Sequence, residues 1–400
     1  MPTERHGSLE SELEEGLRGL EARSQRRSLC EIAGVNLCSN DYLGLAEDER
    51  LRTAVIEAVR ESPRMGGTGS RLLSGYSGAW DEVESEFAEF VGSEAALYFG
   101  SGYAANVGLL SSLMGSEDTV FSDELNHASL IDGIRLSGAR KVIYPHVNLN
   151  VLENTLRESE KSGSSMGGRK FVVTETIFSM DGDEAPLQEM AELCQRYGAN
   201  LIVDEAHATA VRGPSGRGIT ADLGAEGKVG SVVFASVHTC SKALASAGAF
   251  VCGGLALREH LINRARTFVF STAMPPYMAK QIQAALQLAR TMDGVRAQLV
   301  ARSQKLRTTL RACGLDTARS TTQIVPVVVG GNEDAIAAAE YLQQRGFAVR
   351  AIRPPTVKPG QARLRLSITA SIAESELERL AGCLGNWRAQ RSALAAAGCA

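Results

Sequence analysis

Three short apolar runs, Phe171-Val-Val-Thr-Glu175, Asn200-Leu-Ile-Val-Asp204 and Ser231-Val-Val-Phe-Ala-Ser236, follow one another along the middle of the chain. Runs this short and this apolar suit strands covered on both faces, as in a parallel sheet. Between the first two, Leu187, Met190, Ala191, Cys194 and Tyr197 recur at helical spacing, the stripe of a crossover helix. From about residue 47 to 290, glycine-rich turns alternate with β-rich runs and helical patterns. That alternation predicts βα units around a mostly parallel sheet, with a further buried strand at Ala249-Phe-Val-Cys-Gly-Gly254.

A chain of 400 residues exceeds one core of usual size. Its tail, Gln323-Ile-Val-Pro-Val-Val-Val329, a helix to Arg345, Ala348-Val-Arg-Ala-Ile352 and Ala362-Arg-Leu-Arg-Leu-Ser-Ile368, predicts a smaller α/β lobe. Residues 8–29 are charged, with Leu9, Leu13, Leu17 and Leu20 at helical spacing. They predict an arm helix whose apolar stripe packs elsewhere, as on a partner subunit. The expected division is an arm over 1–46, a large domain over 47–285 and a small C-terminal domain over 286–400. Only residues 162–168 and the Ala-rich end after Arg388 read as loose.

The net charge of -4 comes from interspersed acids and bases, which gives no basis for a nucleic-acid or membrane partner. No run of about 18 apolar residues occurs to span a bilayer. The start, Met-Pro-Thr-Glu-Arg-His followed by the acidic stretch Glu10 to Glu15, lacks the layout of a signal peptide, so a cytoplasmic protein is expected. Eight cysteines are scattered without a CxxC pair or clustering with the six histidines, which predicts reduced thiols and no metal site.

Asp204 ends an apolar strand, and in parallel sheets ligands gather at carboxyl strand ends. It suits either a helix cap or the partner of a buried cation such as a protonated pyridine nitrogen. Lys242 follows the 231–236 strand within His238-Thr-Cys-Ser-Lys242-Ala-Leu-Ala-Ser-Ala-Gly248. It suits either a solvated turn or a Schiff-base amine, whose neutrality burial favours. Phe99-Gly-Ser101-Gly102-Tyr103-Ala-Ala-Asn106 offers a helix start for a phosphate. His127, in Asn126-His127-Ala-Ser129, suits either a structural bond or stacking on a planar ring.

Together these pieces resemble the α-oxoamine synthases, pyridoxal-phosphate (PLP) enzymes, over nearly the whole chain. The matching stretches are Ser39-Asn40-Asp-Tyr-Leu-Gly44-Leu, Gly66-Gly-Thr-Gly69-Ser70-Arg71 leading to Ser74-Gly75-Tyr76-Ser77, and Phe178-Ser179-Met-Asp181-Gly182-Asp183. Asp204-Glu-Ala-His207 and Thr239-Cys-Ser-Lys242-Ala complete the set. The resemblance implies an α/β fold of PLP fold type I, like aspartate aminotransferase, with a large mostly parallel sheet domain and a smaller C-terminal α/β domain. It also implies that Lys242 carries PLP, Asp204 pairs with the pyridinium nitrogen and His127 stacks on the ring. Ser101, Gly102 and Tyr103 would hold the cofactor, while Ser179, His207 and Thr239 contact its oxygens. Ser271 and Thr272, in Phe270-Ser-Thr-Ala-Met-Pro-Pro276, would reach the phosphate of a neighbouring subunit, which implies a homodimer.

Ile352-Arg-Pro354-Pro355-Thr356-Val and Ala362-Arg-Leu-Arg365-Leu resemble the family's pimeloyl-using branch. The implied substrates are L-alanine and pimeloyl-CoA or a pimeloyl carrier protein. Arg365 would take the amino-acid carboxylate, with Asn40 and Thr356 also at the substrate. Arg26 is the choice to face the acyl chain, with Arg23 and Arg27 as rivals. An aminotransferase would share Asp204 and Lys242 without requiring the Ile352 segment, and a scaffold subunit of this fold would not require Lys242.

Overall fold

The computed structural model describes residues 3–31, 33–161, 168–225 and 233–397. Ser231 and Val232 of the third expected strand, and residues 162–167 of the loose segment, lie outside them. The chain divides into two compact units, Asn40–Ser179 with Asp183–Leu299, and Met1–Ser39 with Met180–Gly182 and Val300–Ala400.

The first unit is built on seven strands: β1 (Ala95–Phe99), β2 (Thr119–Asp123), β3 (Arg140–Tyr144), β4 (Lys170–Glu175), β5 (Ala199–Asp204), β6 (Val233–Thr239) and β7 (Ala249–Gly253). Their order is β1-β7-β6-β5-β4-β2-β3, and β7 alone runs antiparallel to its neighbours. Alternation along each strand feeds two cores. Phe171, Val173 and Ile202 enter one, together with Leu109 and Leu110. Val172, Leu201 and Val203 enter the other with Leu187, Met190, Ala191, Cys194 and Tyr197, the stripe expected of the crossover helix. Burying each large side chain contributes roughly 1.5–3 kcal/mol, which is why both faces of these strands can be apolar.

Helices α1 (Gly78–Val91), α2 (Gly102–Leu113), α3 (Ala128–Ser137), α4 (Leu187–Arg196) and α5 (Pro276–Arg290) belong to this unit. Two start directly beyond carboxyl strand ends with a side-chain cap. Ser101 Oγ accepts from Ala104 N at 3.0 Å at the head of α2, and His127 caps α3. Strands of this topology present their carboxyl ends at one edge, so β2, β4, β5 and β6 deliver polar residues to the same place.

In the second unit β8 (Ile324–Gly330), α6 (Asn332–Gln343), β9 (Ala351–Ile352), β10 (Ala362–Ser367) and α7 (Glu374–Ala397) form the tail. The sheet order is β9-β10-β8, antiparallel throughout. The run Ala348–Ile352, expected as one strand, is split. Phe347–Ala348 pairs in parallel with Val35–Asn36, whereas Ala351 and Ile352 pair with β10, so the chain changes partner between them. The arm helix spans Thr3–Ala22 rather than 8–29, because Ser24 turns left-handed at φ 53°. Its leucine stripe is open, with Leu9 55%, Leu13 61% and Leu17 45% exposed. Among the described residues no helix is long and apolar enough to cross a membrane.

Candidate active site

Asp204, at the end of β5, is 6% exposed. Its Oδ1 accepts from Ala206 N at 2.8 Å and its Oδ2 from Asn106 Nδ2 at 2.7 Å. The first bond caps a turn and not a helix, since irregular backbone follows Asp204. The second comes from α2 and serves no cap. A carboxylate offers about four lone-pair positions, so two donors fix its plane and leave it able to accept a further proton-bearing partner.

The other amide hydrogen of Asn106 goes to Ser129 Oγ at 2.9 Å, and Ser129 Oγ lies 2.7 Å from His127 Nδ1. Ser129 N also donates to Nδ1, at 3.3 Å. Because the Ser129 backbone N–H donates to Nδ1, Nδ1 is an acceptor, and the Ser129 hydroxyl donates to it as well. His127 therefore keeps its proton on Nε2. Burial lowers its pKa, Asp204 opposes that shift and Lys242 adds to it, so the ring is neutral at physiological pH.

Lys242 sits in the loop joining β6 to β7, which closes through Cys240 N to Gly248 O and Ser246 N to Cys240 O, each 2.9 Å. Gly248 has φ 84°, and a Cβ there would lie 2.1 Å from Tyr98 Oη. Only glycine fits that turn. Lys242 is half-buried, and its charge acts on both His127 and Glu175. Thr239 Oγ1 is 2.9 Å from Ser241 Oγ, and a Cβ built on Gly102 would lie 3.6 Å from Thr239 Oγ1. The first residue of α2 thus lies against Thr239, whose hydroxyl is bonded to that of Ser241.

His207 Nδ1 lies 2.7 Å from Tyr42 Oη, which donates to Asn40 Oδ1 at 3.1 Å. With that hydroxyl proton on Asn40, His207 donates from Nδ1 to Tyr42. The Ser179 amide donates to the carboxyl of Glu175 at the end of β4. Tyr103 is 46% exposed, sets its ring edge-on to His127 and hydrogen-bonds Asp132. Ser271 and Thr272 are exposed beside Phe270.

The remaining candidates lie in the second unit. Arg26 is committed to Glu21 at 2.9 Å, whereas Arg27 Nη2 donates to Thr356 Oγ1 at 2.9 Å. Arg365 is buried and donates to Ser367 Oγ at 2.6 Å.

Asn106, Ser129, Tyr42, Ser241 and Glu175 complete the arrangement without having stood out as site residues in the sequence. For Glu175 a signal existed, since it ends a buried strand beside the one ending in Asp204. None existed for Asn106, whose partner is 98 residues away.

PLP fits this set. A helix head with hydroxyls suits a phosphate dianion, an aligned carboxylate suits a pyridinium, and a lysine stands among buried groups. Two buried acceptors, Asn106 Oδ1 and Glu175 Oε1, have no protein partner.

Residues 32–384 match the family Aminotransferase class I and II. An 8-amino-7-oxononanoate synthase of Anaeromyxobacter dehalogenans is 45% identical over 370 residues, 89% of this chain and 90% of that one. Among solved structures, SPT with PLP is 30% identical with a TM-score of 0.82, covering 88% of this chain and 87% of that one. The 8-amino-7-oxononanoate synthase of Francisella tularensis is 26% identical with a TM-score of 0.75, covering 90% and 99%. The chain therefore belongs to the class I and II aminotransferase family, within its α-oxoamine synthase branch, and is a PLP-dependent enzyme.

Proposed function

We propose that this enzyme condenses L-alanine with a pimeloyl thioester, of CoA or of a carrier protein, to give 8-amino-7-oxononanoate, CO2 and the thiol. This is the aminoketone-forming step of biotin synthesis, carried out by a cytoplasmic homodimer. The observation that carries the reading is identity of 45% along nine-tenths of both chains with a relative named for that product. The exposed Phe270, Ser271 and Thr272 support a subunit contact at that segment.

PLP, when bound, supplies the electron sink that weakens the Cα–H and Cα–carboxylate bonds of the amino acid. Ser101, Gly102 and Thr239 would hold its phosphate, and Asp204, which Asn106 and Ala206 align, would pair with its ring nitrogen. Lys242 Nζ would hold the cofactor covalently until the amine of alanine displaces it, and the freed lysine amine would then take the Cα proton of alanine and later return one to the product carbon. The alanine Cα bonds to the thioester carbonyl carbon as the C–S bond breaks, and the Cα–carboxylate bond then cleaves to CO2. His127, holding its hydrogen on Nε2, donates to the oxyanion that develops on the thioester oxygen. His207, held by its Nδ1 bond to Tyr42, would contact a cofactor oxygen. Arg365 takes the alanine carboxylate. Arg27, joined to Thr356, is a better candidate than Arg26 for the distal carboxylate of the acyl chain, because Glu21 already neutralises Arg26.

The test is the mass of the product from competing pairs in one vessel: L-alanine with pimeloyl thioester, glycine with acetyl-CoA or succinyl-CoA, and serine with palmitoyl-CoA. Dominant 8-amino-7-oxononanoate is expected. A dominant product from another pair would retract the substrate assignment.

A further inference from the structure

Glu175 and Asp204 are register partners on adjacent parallel strands, so their side chains leave the same face of the sheet side by side. Both are buried. Asp204 has a donor on each oxygen. Glu175 is arranged differently: the backbone amides of His127 and Ser179 donate to its carboxyl, while Oε1 is enclosed with no hydrogen-bond partner. An ionised carboxylate with one bare oxygen, next to a second carboxylate and away from water, is a costly arrangement.

The charged and titratable groups facing Glu175 are Asp204 on β5, Lys242 in the loop after β6 and His127 at the head of α3. Burial holds the Glu175 carboxyl well above the usual carboxylate range, and the charge of Asp204 pushes it the same way. Lys242 and the two amides oppose that shift without matching it.

We propose that Glu175 is a protonated positioning residue of the cofactor site, which ties together the loops bearing His127 and Ser179 and spares Asp204 a second charge at its side. The consequence concerns the amine. A second anion near Lys242 would favour its ammonium form, which cannot take a Cα proton, and a neutral Glu175 removes that bias. The amide ties matter equally, because His127 and Ser179 reach the cofactor from loops following different strands, and Glu175 fixes one against the other.

This inference rests on the cofactor site proposed above, so its first test uses apoprotein. Infrared difference spectra of apo wild type against apo Glu175→Gln at neutral pH are expected to show a protonated-carboxyl C=O band that the variant lacks. A carboxylate band in its place would overturn the proposal whatever the substrate proves to be. The second test is PLP affinity, by spectral titration, together with the pH profile of turnover. Glu175→Gln keeps a neutral group with an acceptor for both amides, and is expected to stay within about threefold of wild type, while Glu175→Ala weakens PLP binding by about tenfold or more. Glu175→Gln falling as far as Glu175→Ala would overturn the proposal. If Glu175→Ala does not fold, Glu175→Gln and the infrared band decide the matter alone.

Discussion

Asn106 Nδ2 donates to Asp204 Oδ2 at 2.7 Å while its second hydrogen holds Ser129 Oγ, so one amide aligns Asp204 and, through Ser129, His127. Replacement by alanine removes a donor from a buried carboxylate and frees Ser129 to turn. Asn106→Ala is expected to cut kcat by roughly 10- to 100-fold, equivalent to about 1.5–3 kcal/mol for a bond to a charged group. Asn106→Asp should be worse, since it sets another carboxylate against Asp204. Steady-state kinetics of both variants check the order, and equal activity in the two would argue that the bond has no catalytic consequence.

Lys242 is expected to be the residue on which borohydride fixes PLP. The purified protein should be yellow, and Lys242→Ala should still bind PLP through Ser101, Gly102 and Thr239 but lose turnover, because the base is gone. Peptide mapping that located the label on another lysine would reject the assignment.

His146 sits between two buried carboxylates, Nδ1 3.0 Å from Asp123 Oδ1 and Nε2 2.8 Å from Asp183 Oδ2. Burial alone would lower its pKa, but the bonds to Asp123 and Asp183 outweigh burial and raise it to about 9. The folded value lies above the unfolded one of about 6.5, so the imidazolium contributes its full stability below that pH and loses it as pH rises through 9. The contribution is on the order of 3 kcal/mol. Urea unfolding at pH 6 and pH 9.5 should show stability falling with pH, and His146→Gln should flatten that difference.

Arg27→Ala is expected to raise KM for the pimeloyl thioester by about 30-fold, a loss of about 2 kcal/mol for an unpaired carboxylate. Arg26→Ala should change it little, since only a surface pair with Glu21, 52% and 65% exposed, is broken. The two KM values measured side by side decide between the arginines, and the reverse order would restore Arg26.

The strands around Phe171–Glu175 and Asn200–Asp204 and the crossover helix from Leu187 were legible in the sequence, because their signals repeat within a few residues. So was the family, because its short motifs survive as contiguous strings. The positions of Asp204 and Lys242 at strand ends followed from the same local signals. Tertiary structure alone decided that Asn106 aligns Asp204, that His127 keeps its proton on Nε2, that Glu175 lies beside Asp204, and that Arg27 rather than Arg26 meets Thr356, 329 residues away. It also split the run Ala348–Ile352 between two partners. The reason is physical. Periodicity reports which face of an element is buried, whereas a hydrogen bond between elements depends on how the strands are ordered and on which turn of each helix comes to rest over which strand end, and no local stretch of the chain encodes that by itself.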